Sequence, residues 1–577
     1  MDAIDAWRIR FLSSITSGLR KQQRSGEYCD VAIKVEGVVF RCHKAVLCAA
    51  SPYFTAMFAH DMKESRDAAV TLHETKAEMF ELLLDCIYDG ASIVTEDNVQ
   101  DILEIATLMQ IDILLEYIEE YFRQIITVEN FVDIWYMAKK FSCQRLENFI
   151  WTFMTDNFVA LSDSGDLSLL PLETMERFLS DDSLVAKSED LICDVILRWL
   201  SADVENRREY APKLITQMRL PLCSSEYILQ QFSKDTCVNQ LPEALPTIKQ
   251  ALKFKMFPAR KQDSTSVQTT HRRTSAQDDV MVVIGGTDTS EYSGTGMRCY
   301  SFLRRKWFNL PSLPQNVGPH YAICTYGDDI FVSGGQYHRE AFHRFQSATC
   351  AWVALPQLPS GRFQHAMASV TDVIYVIGGD GSVDSTLIYG YNVSTGSWNV
   401  YCEMPDRIPY AHAVAFNQSV LIYGGKASES QQSDYVFTFD TFRNQVTRIT
   451  SLTLPGPGTN AVMFDSSAYI IGTDGAVTKV THDFEKHVVR TIENFNPKRF
   501  ASVQYRGILY VIVCSPNLRG SSSEFPKVLV IDPSNEMSLL ETILVPPATP
   551  RGAPWLGSGT RLASVKISIS KHHLKEV

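Results

Sequence analysis

The sequence predicts a multidomain protein whose second half is a six-bladed, all-β propeller and whose first half is mainly helical, opening on a short α/β stretch. Three observations carry that prediction. Six short apolar segments recur at near-even spacing, at 281–284, 330–333, 374–377, 420–423, 468–471 and 509–512. The first four run into glycine pairs: Gly285-Gly286, Gly334-Gly335, Gly378-Gly379 and Gly424-Gly425. From Gly285, the steps to 334, 378, 424, 472 and 514 are 49, 44, 46, 48 and 42 residues. A strand-built period in the 40s signifies one four-stranded blade per repeat. Before about residue 257, by contrast, apolar residues return at helical spacing.

In chain order, the first element is a strand pair. Val31, Ile33 and Val35 alternate with polar neighbours, and Glu36-Gly37 supplies the turn. Val99, Ile102, Leu103, Ala106 and Met109 then mark one face of a helix. Ile192, Val195, Ile196, Trp199 and Leu200 mark another, with Ser188 placed to cap it and Glu189 and Asp190 in its first turn. Residues 259–279 are polar and lack any aromatic side chain, so a disordered linker is expected there. Within it, Arg272-Arg273-Thr274-Ser275 has the pattern of a basophilic kinase site, against a default reading of plain linker solubility.

In the propeller, Trp307, Trp352 and Trp398 each follow a glycine pair by about half a repeat, where a large flat side chain can fill the wedge between blades. The glycines end apolar strands where the chain turns sharply. Prolines such as Pro311, Pro356 and Pro405 punctuate the loops. The first repeat has no strand of its own before Met281. The segment 551–557, led by Arg551, parallels 362–367, so the C-terminal strand is expected to complete blade 1 and remove a sheet edge.

Apolar strand, Gly-Gly, tryptophan and proline loop together resemble the kelch repeat. The first half carries Cys29-Asp30-Val31-Ala32-Ile33, Phe40-Arg41-Cys42-His43-Lys44, Ser51-Pro52-Tyr53-Phe54, Met57-Phe58 and Met62-Lys63-Glu64-Ser65, and this resembles the BTB domain. The segments 143–158, 178–182, 196–200 and 219–222 resemble the all-helical BACK domain. Nearly the whole chain is therefore similar to the BTB-BACK-kelch (kelch-like) family of cullin-3 substrate adaptors, although the fifth and sixth repeats lack both the full glycine pair and the tryptophan. The expected limits are 1–125 for BTB with an N-terminal dimerisation helix, 126–257 for BACK, 258–279 for the linker, 280–570 for the propeller and 571–577 for a tail.

Composition narrows the function. A net charge of -12 and a pI near 5.6 argue against nucleic acid as the main ligand. The start of the chain carries charges where a signal peptide needs an apolar core, and no apolar run approaches the ~20 residues that span a bilayer. Thirteen scattered cysteines fit reduced thiols. A cytoplasmic location, with the nucleus possible, is expected, without membrane insertion.

No catalytic constellation is found, and no metal or other cofactor is expected. Cys29, Cys42, His43 and Cys48 lack metal-ligand spacing, and His43 reads as a packed residue. His320, His365 and His412 recur near the starts of blades 2, 3 and 4 as a consequence of the repeat. The resemblance implies the binding surfaces. Phe11, Leu12, Ile15 and Leu19 would pack across a two-fold BTB homodimer, against the alternative of packing on their own domain. Met62 and Glu64, with Tyr53 and Phe54, would engage cullin-3. On the propeller, Arg362, Arg499 and Arg551 read as one repeat position, a ring suited to an acidic peptide, against the alternative that each hydrogen-bonds within its blade junction. His320, Tyr410, Tyr337, His338 and Asp380 complete the expected substrate face. The implied function is a non-catalytic adaptor of a cullin-3 RING ubiquitin ligase. The alternative is an actin-associated scaffold.

Overall fold

The computed structural model describes residues 3–576 except 60–68, 74, 92, 165, 234–244, 265, 287–294, 417, 429–430, 433–435, 451, 453, 455–457, 465–466, 493–494, 496–498, 515–526, 534–537 and 546–562. Backbone contacts divide it into two compact units, Met1–Pro171 and Leu172–Val577.

The first unit starts with α1 (Ala3–Ser25) and a three-stranded sheet of order β2-β1-β3, with β1 Val31–Val35, β2 Val38–Cys42 and β3 Ala69–Leu72. The expected turn at Glu36-Gly37 joins β1 to β2, both residues having positive φ (48° and 87°). Val31, Ile33 and Val35 are buried and alternate with more exposed neighbours, as period 2 requires. Helices α2 (Lys44–Ala50), α3 (Pro52–Met57), α4 (Ala77–Asp89), α5 (Val99–Leu108) and α6 (Asp112–Ile125) cover the sheet's surroundings, and α7 (Phe131–Lys140), α8 (Gln144–Asp156) and α9 (Phe158–Ser164) follow. Ser51 explains where α3 begins. Its Oγ accepts from the Phe54 amide (3.3 Å), Pro52 occupies the first turn, and the same Oγ donates to Met109 O. His43 is a packed residue, with its Nδ1 3.0 Å from Tyr88 Oη.

The second unit opens with α10 (Leu172–Ser180), α11 (Glu189–Ala202), α12 (Val204–Arg207), α13 (Ala211–Gln217), α14 (Ser225–Ser233) and α15 (Leu245–Met256). Ser188 caps α11 as expected, its Oγ accepting from Leu191 N (3.4 Å). The apolar face of α11 is buried.

Six antiparallel sheets follow as blades. Blades 2 to 6 have four strands each in chain order, blade 4 with the hairpin Lys426–Ser428/Gln431–Gln432 inserted between its second and third strands, and blades 5 and 6 are as regular in strand order as the rest. Blade 1 has five, its outermost being Lys575–Glu576. Blade 1 is completed by Ala563–Ser570, which pairs along its whole length with Gln277–Gly286. The innermost strands of blades 1 to 6 (Ala563–Ser570, Ala322–Tyr326, Ala366–Val370, Ala411–Phe416, Asn460–Phe464 and Arg499–Tyr505) neighbour one another in a closed circuit. The tryptophans do bridge blades. Trp352 Nε1 donates to Pro311 O and Trp398 Nε1 to Pro356 O, both at 2.9 Å, each reaching back to the proline loop of the preceding blade. Gly334 shows why the glycine pairs exist. Its φ is +59°, and a Cβ there would lie 2.2 Å from Arg362 O of the next blade.

Residues 259–279 are not the expected disordered linker. Short 3-10 turns at Pro258–Asp263 and Val267–Thr269 lead into a buried Arg272. The Arg272 guanidinium bonds the Glu189 carboxylate (2.8 and 3.3 Å) and donates to Phe178 O and Leu179 O (3.0 Å each) at the end of α10. Thr274 Oγ1 donates to Leu184 O, and Ser275 N to Arg272 O (3.0 Å). Of the two arginines in the basophilic pattern, Arg272 is consumed in this buried network, while Arg273 stays exposed. Beside it, Asp182 accepts from Arg219 (2.6 Å) and from Arg506 of blade 6 (3.1 and 3.2 Å). Polar composition signalled solvation; the arginines instead found carboxylates and helix-end carbonyls.

Candidate functional site

A channel of about 290 Å³ runs among the innermost strands of the propeller. One end meets the chain itself. Ala259 lines the channel there, Gly327 N donates to Pro258 O (3.1 Å), Gln504 Nε2 donates to Ser264 O (3.0 Å), and Lys261 pairs with Asp328. The linker thus lies against the face where the inner hairpins turn.

The opposite face carries the loops that lead into the blades. Pairing register makes His320, Gln364, Tyr410, Gly458 and Arg499 equivalent, each two residues before the matching position of the inner strand. The first four have positive φ, at 65°, 58°, 61° and 88°. This left-handed turn lets the blades be stitched by backbone. Gln364 N donates to His320 O (2.9 Å), and Tyr410 N to Gln364 O (2.8 Å). The His320 and Tyr410 rings, from blades 2 and 4, meet edge to face at 5.4 Å. Gln364 was missed by sequence reasoning. Counting back from the glycine pair to one register would have found it.

The expected arginine ring is corrected by this register. Arg362 lies two residues before the position that Arg499 occupies, and the strand completing blade 1 begins at Ala563, too far from Arg551 for equivalence. Arg362 is also fully buried. It donates to Gly378 O (3.2 Å), Leu387 O (3.0 Å) and Asp384 O (2.9 Å) and sits over the Tyr389 ring. Burial pulls its guanidinium down to about 10. It braces a blade junction and presents nothing to a partner. The Arg499 side chain and all of Arg551 lie outside the described residues. The histidines are likewise not one position, since His320, His365 and His412 occupy three successive registers. His365 is buried, with Nε2 2.7 Å from Ser333 Oγ.

Tyr337, His338 and Asp380 are exposed in the loops after the glycine pairs, Tyr337 to 65%. The loops are shaped locally. Phe363 and Asp380 exchange backbone hydrogen bonds (3.0 and 2.9 Å), and the Asp380 carboxylate accepts from Gly381 N (2.7 Å). Arg339, absent from the expected set, lies over the Phe363 ring at 4.9 Å.

In the first unit, Phe11, Leu12 and Ile15 are exposed on α1, and Trp7 stacks on Phe11 at 5.4 Å. Leu19 is half-buried nearer the helix end, where Arg20 pairs with Asp85 and Asp89 of α4. Tyr53 is half-buried, whereas Phe54 is fully buried and stacks on Phe58. Phe54 is therefore core and cannot line an open groove; the Ser51 cap turns it inward. Met62 and Glu64 lie outside the described residues.

Comparison with known proteins supplies the frame. The BTB/POZ domain family matches residues 19–126, and the family described as BTB And C-terminal Kelch matches 131–233. The chain is similar to Kelch-like protein 21 of Danio rerio, 30% identical over 370 residues (64% of this chain, 60% of that one), and to human Kelch-like protein 24, 30% identical over 353 residues (61% and 58%). Human Kelch-like protein 6 is 26% identical over 421 residues (71% and 67%). The match spans about 60% of the length of the first of these relatives. No described helix is long and apolar enough to cross a membrane. With both domain families in order ahead of a ring of four-stranded sheets, the chain belongs to the BTB-BACK-kelch family.

Proposed function

We propose that this chain is the substrate-recognition adaptor of a cullin-3 RING ubiquitin ligase, without catalysis of its own. The observation that carries the reading is the asymmetry of the propeller. One face is taken by the chain's own linker, and the other offers exposed Tyr337, His338 and Asp380 around a stitched rim. A recognition disc with one free face, behind BTB and BACK domains, suits capture of a protein target for ubiquitin transfer by partner enzymes. The exposed apolar side chains of α1, Trp7, Phe11, Leu12 and Ile15, support a homodimer through the BTB domain. Two propellers on one dimer raise the effective concentration for a bivalent target. Cullin-3 docking is assigned to Met62 and Glu64, with Tyr53 beside them in sequence.

The test is co-purification with cullin-3 of the full chain and of Met62→Ala/Glu64→Ala. The wild type should retain cullin-3 and the double variant should lose it. Equal retention, or none by the wild type, would sink the adaptor reading.

A further inference from the structure

A second concave surface opens where α15 passes blades 3 and 4, away from the rim that carries Tyr337. It holds about 760 Å³, larger than the axial channel. Phe254 and Phe257 are half-buried in its wall, and Phe442 stands at its edge with 82% of its surface exposed.

The exposure of Phe442 is built in. It sits on the turn between two outer strands of blade 4, Val436–Asp440 and Gln445–Arg448. Asp440 Oδ1 accepts from the amides of Phe442 (2.9 Å) and Arg443 (3.0 Å). Thr441 donates to Gln418 O through both its amide (3.0 Å) and its hydroxyl (2.6 Å). The ring is therefore held outward on a fixed backbone, which lowers the ordering cost of binding to it.

Charge indicates the occupant. Lys253 and Arg443 are exposed beside these rings, in a chain of net charge -12. Asp440 is the one carboxylate among the described lining residues. The turn amides engage its Oδ1, and its Oδ2 lies 4.0 Å from Arg443 Nε, a long and exposed contact that holds Arg443 weakly, so two cations face one carboxylate. We infer that this groove docks a short segment of another protein bearing an aromatic or large apolar side chain flanked by carboxylates, at a site separate from the proposed substrate face.

The probes are two pools of short fluorescent peptides with a fixed central phenylalanine, flanked by glutamate in one pool and lysine in the other. Fluorescence anisotropy is read against the full chain. The glutamate pool should bind at least about tenfold more tightly. Phe442→Ala should lose about that factor, and Lys253→Glu/Arg443→Glu should reverse the preference toward the lysine pool. Phe442 is exposed, so its variant should melt like the wild type. Equal binding of the pools, or no loss on Phe442→Ala, overturns the inference. So does loss on Tyr337→Ala alone, which would put the peptide on the substrate face. Concentration-dependent self-association abolished by Phe442→Ala would also overturn it, since the occupant would be a second copy. Loss of cullin-3 co-purification bears on the adaptor reading and leaves this outcome untouched.

Discussion

Replacing Arg272 by alanine tests whether residues 259–279 are a latch. The Arg272 side chain is 2% exposed and that of its partner Glu189 11%. Alanine would strand the Glu189 carboxylate and remove the donors to Phe178 O and Leu179 O. Removing one partner of a buried ion pair costs about 3–5 kcal/mol, mostly through the uncompensated charge left behind. At 1.4 kcal/mol per decade, this corresponds to roughly 100- to 4,000-fold faster opening. Hydrogen exchange at neutral pH reads it directly in peptides covering 267–276, where Thr270 N and Ser275 N are bonded in the native fold. Glu189→Ala combined with Arg272→Ala should recover part of the loss, since no buried charge is then left alone. Exchange unchanged in Arg272→Ala, or a double variant that loses a full second increment, would refute the latch.

Two further predictions follow from buried charges. Burial pushes the Asp182 carboxyl up, but bonds and charges from Arg219 and Arg506 more than reverse this, leaving it below its ordinary 3.8. A carboxyl depressed in the folded state stabilises above its unfolded pKa and loses that contribution as the pH falls. Wild-type denaturation midpoints should therefore drop below about pH 4, and Asp182→Asn should show a shallower acid limb; parallel limbs would refute the assignment. Arg362→Ala should lower stability by about 1–3 kcal/mol for the carbonyls it leaves unbonded, while Tyr337→Ala should stay within about 0.5 kcal/mol, both read by chemical denaturation. A stable Arg362→Ala would show that the arginine is not a blade brace.

Local signals determined much of this protein. The apolar repeats and glycine pairs specify blades because strand burial and tight turns are short-range demands, met at Gly334 and repeated around the ring. The Ser188 cap, the Glu36-Gly37 turn and the tryptophan wedges were legible for the same reason. Tertiary structure decided what long side chains do. A polar run read as solvated became a latch because Arg272 reaches Glu189, 83 residues away in sequence. Arg362, a candidate for an acidic ligand, turned inward to blade carbonyls, and Phe54 became core. Backbone pairing alone put Gln364 and Arg499 in one register and separated Arg362 from them. Partners far apart in sequence leave no local pattern, so charge and aromaticity in a sequence give the chemistry of a side chain while the fold gives its destination.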